Sequence, residues 1–346
     1  MKRIVICCDG TWNRADQEED GEPCPTNVVK FATRVRKRSE GVVQAIYYDH
    51  GVGTGNALDR FSGGAFGRGL EDNIHDAYRF LIANYEPGDA LFLLGFSRGA
   101  FTARSLAGMI RNCGILERAS VGRYREALAL YRDHARGPDH EESLAFKRAH
   151  SVLPAGDVPV RFLGVWDTVG SLGIPLRGLR ALTRRRHQFH DTELSGIVEH
   201  AYHALAIDER RAPFAPSLWR YEPKPNQTVQ QVWFCGVHSD VGGGYPEAGL
   251  SDLALDWMLE KAQSAGLALD DAAMAALRTH GHFGGALHQS RRSFYRLTPG
   301  RERAIGGDPT QSLHWSVYKR WDSDDTYRPP GLRRYFQQAG DPRGGS

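Results

Sequence analysis

Five stretches of this sequence place a residue capable of nucleophilic or acid–base chemistry directly after an apolar run. They are Asp9-Gly10-Thr11, Asp49-His50-Gly51, Ser97-Arg98-Gly99, Asp167-Thr168 and His238-Ser239-Asp240. Ser97 stands in the pattern G-x-S-x-G, written here Gly95-Phe96-Ser97-Arg98-Gly99. The pentapeptide alone says little, because a Ser/Gly turn precedes many helices. Here it follows ALFLL and precedes AFTARSLAGMI, the strand–turn–helix setting that holds a serine hydroxyl out as a nucleophile. Serine attacks poorly unless a base takes its proton, and that base needs an orienting carboxylate.

Chain order narrows the partners. Folds that use this elbow present Ser, then acid, then His. The apolar run 160–166 ends in Asp167 and the run 229–237 ends in His238, so Asp167 is the expected acid and His238 the expected base. His203, within HALAIDE, competes as the base but reads as part of a helix. Asp208 and Asp240 are the alternative acids, and 239–245 (SDVGGGY) reads as a flexible loop carrying the base. A tetrahedral intermediate needs two donors aimed at its oxygen. The backbone N–H of Arg98, next after the nucleophile, is one; Thr11, in an early strand–helix loop, is the expected second, with Gly10 after it. The chemistry implied is hydrolysis of a carboxylic ester through an acyl-enzyme, with no cofactor and no metal.

Other chemistries fit less well. Asp9, Asp49, Asp167, His238 and Asp240 form an oxygen-rich set that could hold Mg²⁺ or Ca²⁺, which makes a metal-dependent hydrolase the alternative enzyme. No HExxH accompanies them. The run Cys7-Cys8-Asp9-Gly10-Thr11 approaches the D-x-D-G-T of aspartate-nucleophile phosphatases, but Cys7 stands where the attacking carboxylate belongs. The segments 52–55 and 63–67 have the glycines of phosphate loops without GK[ST], and read as loops near the pocket mouth. A non-catalytic binding protein on the same fold is the reading from outside enzymology.

The elements that must position these residues alternate. Apolar runs at 3–8, 42–48, 90–96, 160–166 and 229–237 predict strands. Helical spacing of apolar residues predicts helices over 27–38, 70–85, 100–113 and 251–265. Strands alternating with helices give an α/β fold of the α/β-hydrolase kind, with a mainly parallel sheet covered on both faces. Such sheets bind ligands beyond the carboxyl ends of their strands, where the five stretches fall.

The expected organisation is one catalytic domain over 1–265, with helical cap insertions at 117–158 and 171–228. A C-terminal extension over 266–338 packs on the same domain, and 339–346 is a disordered tail. The 346 residues, 41% hydrophobic and 25% charged, supply an ordinary soluble core and exclude a disordered chain. A formal charge of +3 argues against a dedicated nucleic-acid binder. No apolar window is long enough for a transmembrane segment. The run after Lys2-Arg3 is too short for a signal peptide, so the expected location is cytoplasmic. The five cysteines form no CxxC pair and read as reduced, buried thiols. Leu176, Leu179 and Leu182, with arginines between and after them, make 174–187 a basic amphipathic segment. It reads as a cap helix or as a peripheral membrane contact.

Six ordered blocks together resemble the catalytic domain of the type VI secretion phospholipase effectors: CCDGTWN (7–13), GVGTG (51–55), GFSRGAFTAR (95–104), FLGVWDTVGSLG (162–173), HALAIDERRAPFAP (203–216) and VWFCGVHSDVGGGY (232–245). The resemblance covers about residues 1–260. It implies an α/β-hydrolase fold, serine-dependent ester hydrolysis and a phospholipid substrate, with Ser97 as nucleophile and His238 as base. Asp167 and Asp208 each lie in a family block, so the resemblance leaves the acid open. The best-known members are larger and carry membrane-contacting domains, and delivery by a secretion system comes with the resemblance. A housekeeping esterase or lipase is the second reading of the same residues.

Overall fold

The computed structural model describes residues 1–10, 13–51, 63–133, 135–170, 193–220, 222, 224–291 and 300–339, with the side chains of 63–68 and 339 left undescribed. Eight strands form the main sheet among these residues: β1 Arg3–Cys8, β2 Arg38–Ser39, β3 Val42–Asp49, β4 Ala90–Phe96, β5 Val160–Trp166, β6 Val198–Ala206, β7 Thr228–Phe234 and β8 Gln311–Leu313. Their order is β2-β3-β1-β4-β5-β6-β7-β8. Every pairing is parallel except the short edge pair β2–β3.

The inner strands are apolar along their length because both faces are covered. Alternate residues serve opposite layers. Ile4, Ile6, Leu91, Leu93, Leu163 and Val165 pack under helices α2 (Gly63–Asn84) and α3 (Arg98–Cys113). Val5, Cys7, Phe92, Leu94, Phe162 and Trp166 pack on the other face, against α1 (Asn27–Arg34), with further helices joining that layer later in the chain. Each such side chain fully removed from water contributes about 1.5–3 kcal/mol, which fixes the strand register as well as the fold. Thr26 caps α1 by accepting from the Val29 N–H at 3.3 Å.

Helices α4 (Tyr124–Arg132) and α5 (Glu141–His150) lie against the C-terminal half of α3, where Tyr131 meets Gly108 and Lys147 donates to the Arg111 carbonyl. That part of 117–158 thus thickens the helical layer over the sheet face. After β7 come a single-turn α6 (His238–Gly242), then α7 (Gly249–Ser264) and α8 (Asp271–His280), which complete the α1 layer. The chain then returns to add β8, and α9 (Trp315–Ser323) and α10 (Pro330–Ala339) build a third cluster on Leu205, Trp233 and Leu313.

Three expectations are corrected. The segment 198–206 is a central strand, not helical cap; it carries His203 and leads into Asp208. Alanine and histidine have little intrinsic strand preference, and burial between two parallel neighbours decides the conformation instead. Residues 63–67 open helix α2 and form no loop. Residues 239–242, expected to open a flexible loop over 239–245, belong instead to the helical turn His238–Gly242. The segment 174–187, Thr11 and 52–55 lie outside the described residues, as does 340–346.

Candidate active site

The strand ends meet in register. Phe96 pairs with Trp166 and Trp166 with Ala204, so the residues that follow stand side by side beyond the sheet. The ladder runs one step further: the Ser97 N–H donates to the Trp166 carbonyl at 3.0 Å, and the Asp167 N–H to the Ala204 carbonyl at 2.7 Å.

Ser97 adopts φ 58°, ψ −117°, and Asp167 adopts φ 38°. Positive φ is strained for a non-glycine residue, by on the order of 1–3 kcal/mol, and persists only where surrounding structure imposes it. At Ser97 the cause is the reversal from β4 into α3. The turn fits because Gly99 has no side chain: a Cβ there would lie 2.1 Å from the Cys8 carbonyl oxygen. Ser97 thereby sits at the N-terminus of α3, directly before Arg98.

His238 reaches the same point from β7. The chain turns at Gly236, with φ 110°, where a Cβ would come within 2.3 Å of the Asp240 Cβ. His238 then opens α6 with its ring against Phe96 (ring centroids 4.6 Å apart) and in a T-shaped contact with Phe214 (5.0 Å). Its Nε2 lies 2.8 Å from the Ser97 Oγ, and its Nδ1 lies 2.5 Å from the Asp167 Oδ2. Serine, histidine and aspartate, all buried, form one continuous hydrogen-bonded line. Burial pushes the imidazole below its ordinary range, and the Asp167 carboxylate pulls the other way.

Asp167 is wholly enclosed, and an isolated carboxylate there would be costly. Its Oδ1 accepts from the Ala206 N–H at 3.1 Å and from the Arg303 guanidinium at 2.5 Å. Its Oδ2 accepts from the second Arg303 nitrogen at 3.0 Å as well as from His238. Burial pushes the carboxyl up, but the Arg303 charge, with His238, outweighs it and holds Asp167 well below the usual carboxylate range.

The alternative acids are engaged elsewhere. Asp208 accepts from the Gly236 N–H and the Tyr327 hydroxyl. Asp240 accepts from the Val237 N–H at 2.9 Å and contacts the His288 Nδ1 at 2.6 Å, and His288 stacks on Tyr245. His203 is buried on β6, where its Nε2 accepts from the Thr168 N–H at 3.1 Å. Of the oxyanion donors, Gly10 is already committed, its N–H donating to the Asp9 Oδ1 at 2.7 Å. Gly10 nevertheless abuts the nucleophile: a Cβ there would lie 3.3 Å from the Ser97 Cβ.

The set considered for a metal is dispersed. Asp167 and His238 pair with each other, while the Asp9 Oδ2 accepts from the Thr26 and Tyr48 hydroxyls, each at 2.7 Å. Among the described residues no three His, Cys, Asp or Glu side chains converge on one point.

Two functional neighbours escaped the sequence reading. Glu209, inside a quoted block, accepts from the His238 N–H at 3.4 Å and the Ser290 hydroxyl at 2.9 Å, and pairs with Arg211 at 2.8 Å. Arg211 in turn lies 3.5 Å over the ring of Phe214, the residue that flanks His238. Arg303 lies in RERAIGGD, whose alternating charges look like a solvated surface. No local signal marks it, because its carboxylate partner is 136 residues away.

The family described as T6SS, phospholipase effector Tle1-like, catalytic domain, matches residues 2–261. An uncharacterized protein of Saccharomyces cerevisiae, YEL023C, is 31% identical over 232 residues, covering 62% of this chain and 32% of that protein. An uncharacterized protein from Pseudomonas aeruginosa, known from a crystal structure, aligns at 19% identity and a TM-score of 0.45, over 78% of this chain and 46% of that one. The Tle1 effector bound to the VgrG spike from the type 6 secretion system aligns at 21% identity and a TM-score of 0.37, over 70% of this chain and 51% of its own. The chain thus spans about a third of the yeast relative and about half of each solved chain.

Proposed function

The chain belongs to the family of Tle1-like phospholipase effector catalytic domains, and from that premise we propose that it hydrolyses lipid carboxylic esters, phospholipids foremost, with Ser97, His238 and Asp167 as its catalytic triad. The observation that carries this reading is the unbroken line from the Ser97 Oγ through His238 to Asp167, at 2.8 Å and 2.5 Å.

In this mechanism the Ser97 Oγ attacks the ester carbonyl while the His238 Nε2 takes its proton. Asp167 stays ionised, keeps the proton of the neutral ring on Nδ1 and stabilises the imidazolium as it forms. The imidazolium then protonates the leaving alcohol. A water then attacks the acyl carbon while Nε2 takes one of its protons, and the imidazolium passes that proton to the Ser97 Oγ as the acyl–Oγ bond breaks, which releases the carboxylic acid and restores the serine. The N–H of Arg98 at the start of α3 supplies one oxyanion contact. Thr11, one residue past Gly10, supplies the other, consistent with the close approach of Gly10 to Ser97.

The basic segment 174–187, by its sequence, is the candidate for peripheral contact with an anionic bilayer. No described helix is long and apolar enough to cross a membrane. Delivery through a type VI secretion system is the route that the family's description attaches to the reading.

The test is hydrolysis of a panel of phospholipids and short-chain esters by the purified chain and by Ser97→Ala. Loss of the nucleophile should lower kcat on the order of 10⁶-fold with the fold unchanged. A folded Ser97→Ala protein keeping more than roughly a tenth of the turnover would overturn the assignment. Inertness of the parent chain towards both esters and a fluorophosphonate would favour a binding protein.

A further inference from the structure

Residue 303 lies beyond the family match, which ends at residue 261, yet its side chain is buried against the candidate acid. One guanidinium nitrogen donates to the Asp167 Oδ1 at 2.5 Å and to the Ala206 carbonyl at 2.7 Å. The other donates to the Asp167 Oδ2 at 3.0 Å and to the Phe214 carbonyl at 2.6 Å. The fork therefore ties together the end of β5, the end of β6 and the segment that carries Phe214 against His238.

The geometry points to Arg303 as a positioning residue of the triad: it fixes both oxygens of Asp167 and balances its charge, so that Oδ2 alone faces the His238 Nδ1. The inference rests on the proposed triad. Bidentate geometry matters because a carboxylate gripped at both oxygens cannot rotate away from the imidazole, whereas a single ammonium leaves that rotation open.

Charge has a second, separable effect. Removing the guanidinium leaves the Asp167–His238 pair with one positive neighbour fewer. The pair then takes up a proton at higher pH, whichever of the two residues receives it. Among the described residues, the other charged or titratable groups around the pair are Glu209 and Arg211 beside His238, and His203 on β6. They remain in place when only residue 303 is changed.

The experiment follows the rate at which a fluorophosphonate probe modifies Ser97, from about pH 4 to about pH 9, a reaction that needs the neutral imidazole but no knowledge of the natural substrate. The proteins are the full chain, Arg303→Gln, Arg303→Lys and Ser97→Ala, each normalised to folded protein by its thermal transition. Arg303→Gln should react about 10-fold or more slowly at its plateau, with the acid limb moved up by about one pH unit or more. Arg303→Lys keeps the charge and loses the fork, so its limb should stay near that of the parent while its plateau falls severalfold. A parent-like limb and plateau in folded Arg303→Gln would overturn the inference. If that variant does not fold, a parent-like plateau in Arg303→Lys overturns it instead. Labelling of Ser97→Ala at the parent rate is a different result and removes the triad itself.

Discussion

Tyr327 donates its hydroxyl to the Oδ2 of Asp208 at 2.9 Å, and the Gly236 N–H donates to the same oxygen at 2.7 Å. Asp208 thus anchors the turn that delivers His238, and it does so without touching the imidazole line. Burial pushes its carboxyl up to about 6, with the bonds from Gly236 and Tyr327 pulling it down.

That division of labour separates two substitutions. Asp167→Asn should lower kcat on the order of 10⁴-fold, because the amide favours the wrong imidazole tautomer. Asp208→Asn should leave kcat within about tenfold and instead cost about 1–3 kcal/mol of stability through its disturbed buried hydrogen bonds. Ester kinetics paired with chemical denaturation distinguish the two. If Asp208→Asn proves the more damaging to kcat, the acid has been misassigned, while Ser97 and His238 keep their roles.

Activity should survive chelation. Electrophilic help is assigned to backbone N–H groups, and Asp9 already serves Gly10, Thr26 and Tyr48. Turnover is measured before and after EDTA treatment and dialysis. Complete loss, restored by Mg²⁺ or Ca²⁺, would return Asp9 and Asp240 to the list of ligands.

A pH experiment tests a half-buried histidine outside the site. His314 caps α9 and stacks on Phe234 with ring centroids 4.4 Å apart; burial, and then the Lys261 charge, lower its pKa to about 4. A depressed folded-state value means stability that is present above about pH 6.5 and is lost as pH falls through the folded pKa. Asp208, and Asp49 raised to about 7 by burial first, act with the opposite sign, so the summed profile of the parent chain can be flat. The difference between the parent and His314→Asn, which keeps a capping side chain, isolates the effect. The parent's advantage in urea should be constant above about pH 7 and shrink towards about pH 4. A difference that does not vary across that window would refute a His314 held neutral in the folded chain.

Much of the architecture was legible because parallel strands buried on both faces are written as short apolar runs. β1, β4 and β5 begin and end where those runs do. β6 was hidden because VEHAYHALA mixes weak strand formers with two histidines, and only its neighbours make it a strand. β8 is three residues long and carries no pattern. The line from Ser97 to His238 to Asp167 follows from strand-end placement and chain order. Arg303 does not, since an arginine among exposed charges looks the same in sequence whether it meets water or a carboxylate.

Distance along the chain has a consequence for how the protein is made. Ser97 and His238 are 141 residues apart, and Arg303 is 136 residues beyond Asp167. Parallel strands and distant side chains pair only after long loops close, which slows folding. During synthesis at about 5–20 residues per second, β4 and α3 leave the ribosome roughly ten seconds or more before the segment bearing Arg303. A nascent chain therefore displays its serine elbow well before the acid is clamped. On the proposed reading, the serine, its base and its clamped acid come together only in the last part of biogenesis, after the segment bearing Arg303 has been made.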